Sequence, residues 1–150
     1  MHIRRAALAD MPALAVLHRL TMRVSLDYLP ELHTPEEDRA YFCGPFHAAN
    51  TVWLAEDEAG LAGYAGTEPG WLNHLYVHPA RQGIGVGPRL LAQVMDGADE
   101  LRLWTFQRNA RARRFYERCG FVLVELTDGA GNEEREPDAL YRWTRPITND

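Results

Sequence analysis

The stretch LYVHPARQGIGVGPRLL, residues 75–91, decides how this chain folds. It opens with a β-prone apolar run, continues into a loop with three glycines, and closes with apolar residues at helical spacing. This order predicts a strand over Trp71–Val77, a glycine-rich turn, and a helix from about Gly85 to Met95. Pro88 falls in the first helical turn, where its missing N–H removes no hydrogen bond.

The glycine-rich loop has the composition of a phosphate-binding turn, because glycines let backbone N–H groups converge at a helix start. A P-loop is excluded, since it requires a lysine that the chain lacks. A dinucleotide fingerprint that starts at Gly83 fails at Pro88. The pattern Q-x-x-G-x-G is met by Gln82, Gly85 and Gly87. A tight strand-to-helix connection without any ligand is the alternative.

Further along the chain, a second helix is predicted from Asn109 to Cys119. Its apolar residues Ala112, Phe115, Tyr116 and Cys119 share one face, and Gly120 occupies the position of a left-handed helix cap.

The remaining pattern has the order βααβββαβαββ, which indicates an α/β fold with one mixed sheet covered by helices. Asp10 is expected to cap a first helix whose buried stripe is Ala13, Val16, Leu17, Leu20 and Val24. Thr34 caps a second helix that should end near Cys43, before Gly44-Pro45. The other predicted strands are His2–Ala6, Thr51–Glu56, Leu61–Gly66, Glu100–Phe106, Phe121–Leu126 and Ala139–Thr144.

Composition favours a single domain over residues 1–150, with 46% hydrophobic and 25% charged residues. The net charge of −5 argues against nucleic acid as the main partner. All 16 basic residues are arginine, which excludes Schiff-base chemistry. Cys43 and Cys119 form no metal or redox motif, so we expect no metal. No signal peptide or membrane span is apparent, and a cytoplasmic protein is the expectation.

Residues 75–91, together with Asn109, Ala112, Phe115-Tyr116-Glu117 and Gly120-Phe121, resemble the two central motifs of the GNAT superfamily of acyl-CoA N-acyltransferases. The resemblance extends over nearly the whole chain in the order of its elements. It implies a mixed, mostly antiparallel sheet of about seven strands flanked by about four helices. It also implies a split in that sheet, between the strands ending at Val77 and near Phe106, that holds acetyl-CoA.

The resemblance also assigns roles to residues. The backbone of Leu75, Tyr76 and Val77 pairs with the pantetheine arm, and an N–H near Val77 stabilises the oxyanion. The loop Gln82, Gly83, Ile84, Gly85, Val86, Gly87 and Pro88 holds the pyrophosphate. Asn109 binds pantetheine or only caps its helix. Independently of the resemblance, the arginines at 108, 111, 113 and 114 crowd the positive end of this helix, so we expect Arg111 or Arg113 to assist the cofactor phosphates, with a solvated arginine face as the alternative. Tyr116 is the general acid for the departing thiolate, or else a buried structural tyrosine.

The general base is less clearly marked. The relevant strand face carries Trp71, Asn73, Leu75 and Val77, and none of these is a base. His74 is expected on the opposite face in a structural role. Glu68 is the preferred base, with Glu31 and His33 as further candidates, and Asn73, Glu31 and Glu134 are candidate substrate contacts.

The predicted function is the transfer of an acetyl group from acetyl-CoA to a primary amine by direct attack through a tetrahedral intermediate. Acidic residues in segments 25–50 and 127–138 favour a small cationic or amino-acid-like acceptor. The alternative is a non-catalytic acyl-CoA-binding sensor or partner module. A homodimer through an exposed C-terminal edge strand is a further expectation.

Overall fold

A seven-stranded mixed sheet forms the centre of the computed structural model, which describes residues 1–147. The strands are β1 His2–Arg5, β2 Thr51–Asp57, β3 Gly60–Glu68, β4 Trp71–Val77, β5 Glu100–Phe106, β6 Val122–Leu126 and β7 Asp138–Thr144. They lie in the order β1-β2-β3-β4-β5-β7-β6. Only β4 and β5 are parallel, so the predicted mixed and mostly antiparallel sheet is confirmed.

Five helices accompany the sheet: the four that the sequence predicts, in the predicted order, and one additional helix of three residues, His47–Ala49. They are α1 Met11–Ser25, α2 Pro35–Tyr41, α3 His47–Ala49, α4 Val86–Asp96 and α5 Ala110–Arg118. Thr34 caps α2 by accepting a hydrogen bond from the Glu37 amide, as predicted. Gly120, with φ of 95°, ends α5 in the left-handed conformation. Among residues 1–147, no helix is long and apolar enough to span a bilayer.

The predicted buried stripe of α1 is wrong at most positions. Val16 and Val24 are 70% and 57% exposed, and Leu20 is also exposed. The buried face instead carries Met11, Leu14, Ala15, Leu17 and Thr21. The helix is apolar on both sides, so spacing alone did not distinguish the face that the sheet covers. Asp10 also differs, because its carboxylate accepts from the Ala7 amide and binds Arg4 rather than capping α1.

The second helix does not stop before Gly44-Pro45. The chain continues through a π-helical turn, Phe42–Phe46, into α3. Pro45 has no N–H to donate, and the amide of His47 reaches the Phe42 carbonyl across this wider turn. The turn buries Phe42 and Phe46 against the sheet, and this burial favours continued helix over the predicted break.

The C-terminal strand is not at the edge of the sheet. β7 lies between β5 and β6, and β6 is the edge strand at that end of the sheet. Val122 and Val124 of β6 are 68% and 55% exposed. The alternation of buried and exposed side chains in β7 is therefore that of an inner strand, and the sequence did not indicate its two neighbours.

The two faces of the sheet carry separate apolar cores. One core lies between the sheet and α4 and includes Leu90, Leu101 and Tyr141. The other lies beneath α1 and α2 and is rich in aromatic side chains, among them Phe42, Phe46 and Tyr64. Within it, the Tyr64 hydroxyl lies 3.0 Å from His18 Nδ1 and 2.9 Å from His74 Nδ1.

Burial lowers the pKa of His18 to about 4, against a weak opposing effect of Asp38. Burial also lowers the pKa of His74 to about 3, with His18 contributing. Unfolded histidine titrates near pH 6.5, so the unfolded chain binds more protons between pH 6.5 and pH 4. The stabilisation from neutral burial is thus complete above pH 6.5 and is lost as the pH falls.

We therefore expect the free energy of unfolding in urea to fall between pH 7 and pH 5 by roughly 2 kcal/mol per buried histidine. The His74→Phe variant should show a smaller fall than the wild type, because one titrating group is removed. The exposed His2 provides a control, and His2→Gln should keep the wild-type fall. Equal falls in the wild type and His74→Phe would contradict the assignment.

Candidate active site

The sheet is split between β4 and β5. These strands pair only at Trp71 and Arg102, where the Arg102 amide donates to the Gly70 carbonyl at 2.9 Å. Beyond this pair they diverge. On its other side, β4 has a bulge, since Gly66 and Thr67 of β3 face His74 and Leu72 and leave Asn73 as an extra residue. A bulge bends its strand and increases the local twist, which favours separation of β4 from β5.

The divergence leaves backbone groups of β4 without a neighbouring strand. The His78 amide donates to Ala62 of β3 at 2.7 Å. Because alternate residues of a strand direct their N–H and C=O groups to opposite sides, Tyr76 also faces β3. Leu75 and Val77 accordingly direct their amides into the split. An extended ligand with amide groups can pair with this edge as an added strand does.

The glycine-rich loop closes one end of the split. Gly83 and Gly85 have φ of 83° and 93°. A residue with a Cβ adopts such a positive φ only at a cost in conformational free energy. Outside the helices and strands of residues 1–147, none of the backbone hydrogen bonds of normal geometry has its donor among the amides of residues 82–87. These free donors at the start of α4 suit an anionic group such as a pyrophosphate. Ile84 is 68% exposed and lies outside the groove lining.

Helix α5 forms the opposite wall of a groove of about 690 Å³. Asn109 caps α5 by accepting from the Ala112 amide at 3.1 Å, and it lines the groove together with Tyr116. The other predicted cofactor contacts in the lining are Leu75, Tyr76, Val77, Gln82, Gly83, Gly85, Val86, Gly87 and Pro88. The volume lies within the range of small-molecule and cofactor sites.

The arginines of α5 are divided between two environments. Arg113 donates from Nε to the Tyr141 hydroxyl at 3.0 Å and from a terminal nitrogen to the Gln107 carbonyl. Its side chain is not part of the groove lining. Arg111 and Arg118 do line the groove. Of the two arginines predicted for phosphate contact, the structure therefore places Arg111 at the groove.

Tyr116 and Tyr76 are the phenols of the groove. Burial raises the pKa of Tyr116, and the nearby Tyr76 adds to the effect. Burial raises the pKa of Tyr76 to about 12, with Glu134 and Tyr28 contributing. Both hydroxyls therefore stay protonated at neutral pH and are available as hydrogen-bond donors. Neither donates to another group within residues 1–147.

A smaller pocket of about 220 Å³ adjoins the groove at Leu26, which lines both. It lies among α1, the loop that follows α1, and Glu134 of the loop between β6 and β7. Its charged residues are Asp27, Glu31, Asp38 and Glu134 against Arg19 and Arg23. With four carboxylates and two guanidiniums, the pocket is acidic when its histidines are neutral.

The ion pairs of this pocket leave two carboxylates free. Arg19 binds Asp38 at 2.9 Å, and Arg23 binds Glu31 at 2.7 Å. In the described part of the chain, Asp27 and Glu134 form neither an ion pair nor a hydrogen bond. The predicted substrate contact Glu31 is thus already neutralised, whereas Glu134 is not.

Of the candidate bases predicted from the sequence, Glu31 and His33 line the small pocket, and Glu68 does not line either cavity. Glu68 accepts from Asn73 Nδ2 at 2.9 Å and lines neither cavity, while Asn73 lines the groove. His33 lines the small pocket, but its Nε2 lies 2.5 Å from the Glu133 carboxylate. Within residues 1–147, no cluster of His, Cys, Asp or Glu side chains is arranged to hold a metal ion.

Sequence reasoning missed His18 and Tyr28, whereas Asp27 belongs to the acidic segment 25–50 that it connects with a cationic acceptor. His18 lies one turn beyond Leu14 of the buried α1 face, and that spacing was the available signal. The Arg108 guanidinium lies 4.5 Å from the centre of the Tyr28 ring and also binds Glu136. These contacts tie together three loops beside the site, and no sequence pattern indicated them.

Comparison with known proteins agrees with this architecture. Residues 48–123 match the family model of the acetyltransferase (GNAT) domain. Over 73 residues the chain is 38% identical to tRNA(Met) cytidine acetyltransferase TmcA of Citrobacter koseri. That match covers 47% of this chain, which spans only 10% of the length of that relative.

Solved structures show the same fold over almost the whole chain. YjaB from Escherichia coli has a TM-score of 0.77 at 20% identity and covers 95% of this chain and 96% of its own. The yncA protein of Salmonella typhimurium, solved with its cofactor acetyl-CoA, has a TM-score of 0.74 at 20% identity, with 100% and 98% coverage. The family match and the split sheet agree, and the chain belongs to the GNAT acetyltransferase domain family.

Proposed function

We propose that this protein transfers an acetyl group from acetyl-CoA to the primary amine of a small cationic or amino-acid-like molecule. The observation that carries the proposal is the opening between β4 and β5, with its unpaired amides at Leu75 and Val77. The opening runs from the free amides of the glycine loop to the phenol of Tyr116. It therefore offers hydrogen-bond donors for the pyrophosphate at one end and for the thioester at the other.

The residues fit the cofactor in a consistent order. The amides of residues 82–87 hold the pyrophosphate, and Arg111 supports the phosphates from α5. Asn109 keeps its side-chain N–H₂ free for the pantetheine arm, because only its carbonyl oxygen is used in capping. The amides of Leu75 and Val77 pair with pantetheine and stabilise the oxyanion.

Acetyl-CoA at ~100 times its Kd should raise the free energy of unfolding by ~2.7 kcal/mol, measured as a thermal shift. Gly85→Ala should reduce this shift, because an L-residue with positive φ costs roughly 1–2 kcal/mol and distorts the amide cradle. Gly97→Ala is the matched control, since Gly97 has a negative φ and no neighbours within 4 Å. Absence of any shift in folded, CoA-free wild type would refute the cofactor assignment.

Tyr116 is proposed as the general acid that protonates the departing thiolate. Its raised pKa keeps the proton on the hydroxyl, and no partner within residues 1–147 competes for it. The groove lining places the side chain on the same wall as Asn109.

Tyr116→Phe should lower kcat roughly 10²- to 10⁴-fold, the usual contribution of a positioned acid, and leave the acetyl-CoA thermal shift unchanged. Thiol release measured under saturating substrates tests this expectation. A variant with wild-type kcat would show that another group, or water, protonates the thiolate.

The acceptor class follows from the charges of the small pocket. Asp27 and Glu134 are the carboxylates that no arginine neutralises in the described structure. The charge of Glu134 also helps to raise the pKa of Tyr76, whose side chain lines the groove. Glu134 therefore lies close to the proposed site of acetyl transfer. A cationic amine bound there offsets the repulsion between the two carboxylates.

Glu134→Gln and Asp27→Asn should each raise KM for a diamine roughly tenfold, equivalent to about 1.4 kcal/mol of binding, with little change for an uncharged amine. Glu58→Gln, in the exposed turn between β2 and β3, is the charge-matched control. A protein N-terminus as the only active acceptor in a panel of polyamines, aminoglycosides and amino acids would overturn the proposed substrate class.

A non-catalytic acyl-CoA-binding module remains the second function to test. It predicts an acetyl-CoA thermal shift without thiol release for any amine in the panel. A homodimer is also proposed, now through β6 rather than β7, because β6 is the edge strand at the C-terminal end of the sheet and its Val122 and Val124 are exposed. A cytoplasmic location stays part of the proposal.

A further inference from the structure

A continuous line of hydrogen bonds starts in the small pocket and passes through the aromatic core. His18 lines the pocket from α1, Tyr64 lies fully buried on β3, and His74 follows on β4. The Tyr64 hydroxyl lies 3.0 Å from His18 Nδ1 and 2.9 Å from His74 Nδ1. The ring of His18 also meets the edge of Tyr76, which lines the cofactor groove, at 5.1 Å between centroids.

The single phenolic proton fixes how the two imidazoles are protonated. Tyr64 can donate to only one Nδ1, so the other histidine must carry its proton on Nδ1 and donate to the phenol oxygen. In one arrangement His18 donates from Nδ1 and presents a bare Nε2, while His74 accepts at Nδ1 and carries its proton on Nε2. In the other arrangement both histidines have the opposite tautomer.

Both ends of this line are accessible. Within residues 1–147, the only fully buried side-chain nitrogen or oxygen without a hydrogen-bond partner is the Tyr28 hydroxyl. Neither Nε2 atom has a partner in the same part of the chain, so each must reach a cavity or solvent. His18 Nε2 is thereby available on the side of the pocket that its ring lines.

We propose that His18, Tyr64 and His74 form a proton wire that takes the proton from the acceptor ammonium in the small pocket and releases one to solvent at His74. This inference rests on the proposed acetyl transfer and adds the missing proton acceptor to it. His18 is the residue that contacts the acceptor, whereas Tyr64 and His74 act through it.

The transfer is balanced at every step. The ammonium N–H bond breaks as His18 Nε2 gains a proton, and His18 Nδ1 passes its own proton to the Tyr64 oxygen. Tyr64 passes its hydroxyl proton to His74 Nδ1, and His74 releases the Nε2 proton to water. After the product leaves, solvent returns a proton to His74 Nε2, and the His74 Nδ1 proton passes to the Tyr64 oxygen. Tyr64 passes its hydroxyl proton to His18 Nδ1, and His18 releases its Nε2 proton to water in the open pocket, which restores the starting tautomers.

A proton wire is needed because the positively charged, doubly protonated form of either imidazole is unfavourable in this buried environment. Burial lowers the pKa of both histidines, so a lone His18 would be a weak base toward an ammonium. A concerted shift along the line leaves each ring neutral before and after the transfer. Tyr64 likewise stays a neutral phenol, because burial raises its pKa well above the usual value.

The charged and titratable groups around His18 come from every element that packs against it. Asp38 of α2 raises the pKa of His18 slightly, and Glu134 shares the pocket with it. His74 and Tyr76 face it from β4. In this proposal Asp27 and Glu134, the carboxylates without an arginine partner, hold the ammonium near Nε2, and the neutral His74 and Tyr76 rings supply no competing charge.

The test compares two acceptors with the Tyr64→Phe variant, which keeps the ring and removes the central hydroxyl. One acceptor is the alkylamine that turns over best, an ammonium at pH 7, and the other is a hydrazide of the same skeleton, which is neutral at that pH. Tyr64→Phe should lower kcat/KM for the alkylamine roughly 100-fold and leave the hydrazide almost unaffected, since no proton must be removed before attack. Raising the pH toward the pKa of the alkylamine should restore its rate.

Tyr41→Phe is the matched control, because Tyr41 belongs to the same aromatic cluster and is 47% exposed outside the line. An unchanged acetyl-CoA thermal shift in Tyr64→Phe establishes that the variant is folded and binds cofactor. If it does not fold, His18→Asn takes its place with the same two acceptors. Equal losses for both acceptors, or no loss, would overturn the wire. Inactivity of the wild type with every amine would instead refute the proposed function.

Discussion

The site depends on one interruption in backbone pairing. β4 and β5 share a single parallel pair, Trp71 with Arg102, and then separate. Elsewhere in the sheet the strands pair along most of their length, so the interruption is local. Unpaired amides are costly unless they find partners, and the diverging edge therefore favours a ligand that presents amide groups in an extended form.

Two short-range features maintain that interruption. The bulge at Asn73 bends β4, and the glycine loop turns the chain away from the sheet into α4. Gly63 of β3 contributes as well, since a Cβ at that position would lie 2.8 Å from the Tyr76 carbonyl oxygen. Because β3 approaches β4 closely, β4 stays paired with β3 on one side while its other side, toward β5, remains open.

The small pocket is built differently, from loops and charged side chains. Arginines of α1 are paired with carboxylates from the following segment, which orders that loop over the small pocket. Asp27 and Glu134 remain outside these pairs and set the charge of the pocket. The aromatic core under α1 reaches the same pocket through His18, which packs on Phe42 and also lines the pocket. The packing of this core therefore also shapes the pocket.

The sequence by itself determined the features that depend on neighbouring residues. Trp71–Val77 and Glu100–Phe106 have the predicted bounds, Thr34 and Gly120 cap helices as expected, and the glycine loop joins strand to helix. Such features follow from side-chain periodicity and from backbone conformations open to few residue types. The family motifs lie in these same segments, which is why the fold and the cofactor groove were predictable together.

Only the tertiary structure decided which faces are covered and which side chains meet. Val16 and Val24 have helical spacing, yet the sheet covers the opposite side of α1. The bulge at Asn73 brings Leu72 into the same core as Leu75 despite their odd spacing, and a bulge depends on pairing with a distant strand. Arg113 and Arg111 are equivalent in sequence, but Tyr141 binds the first and leaves the second at the groove. Contacts between residues far apart in the chain decide these outcomes, and local sequence patterns do not predict such contacts.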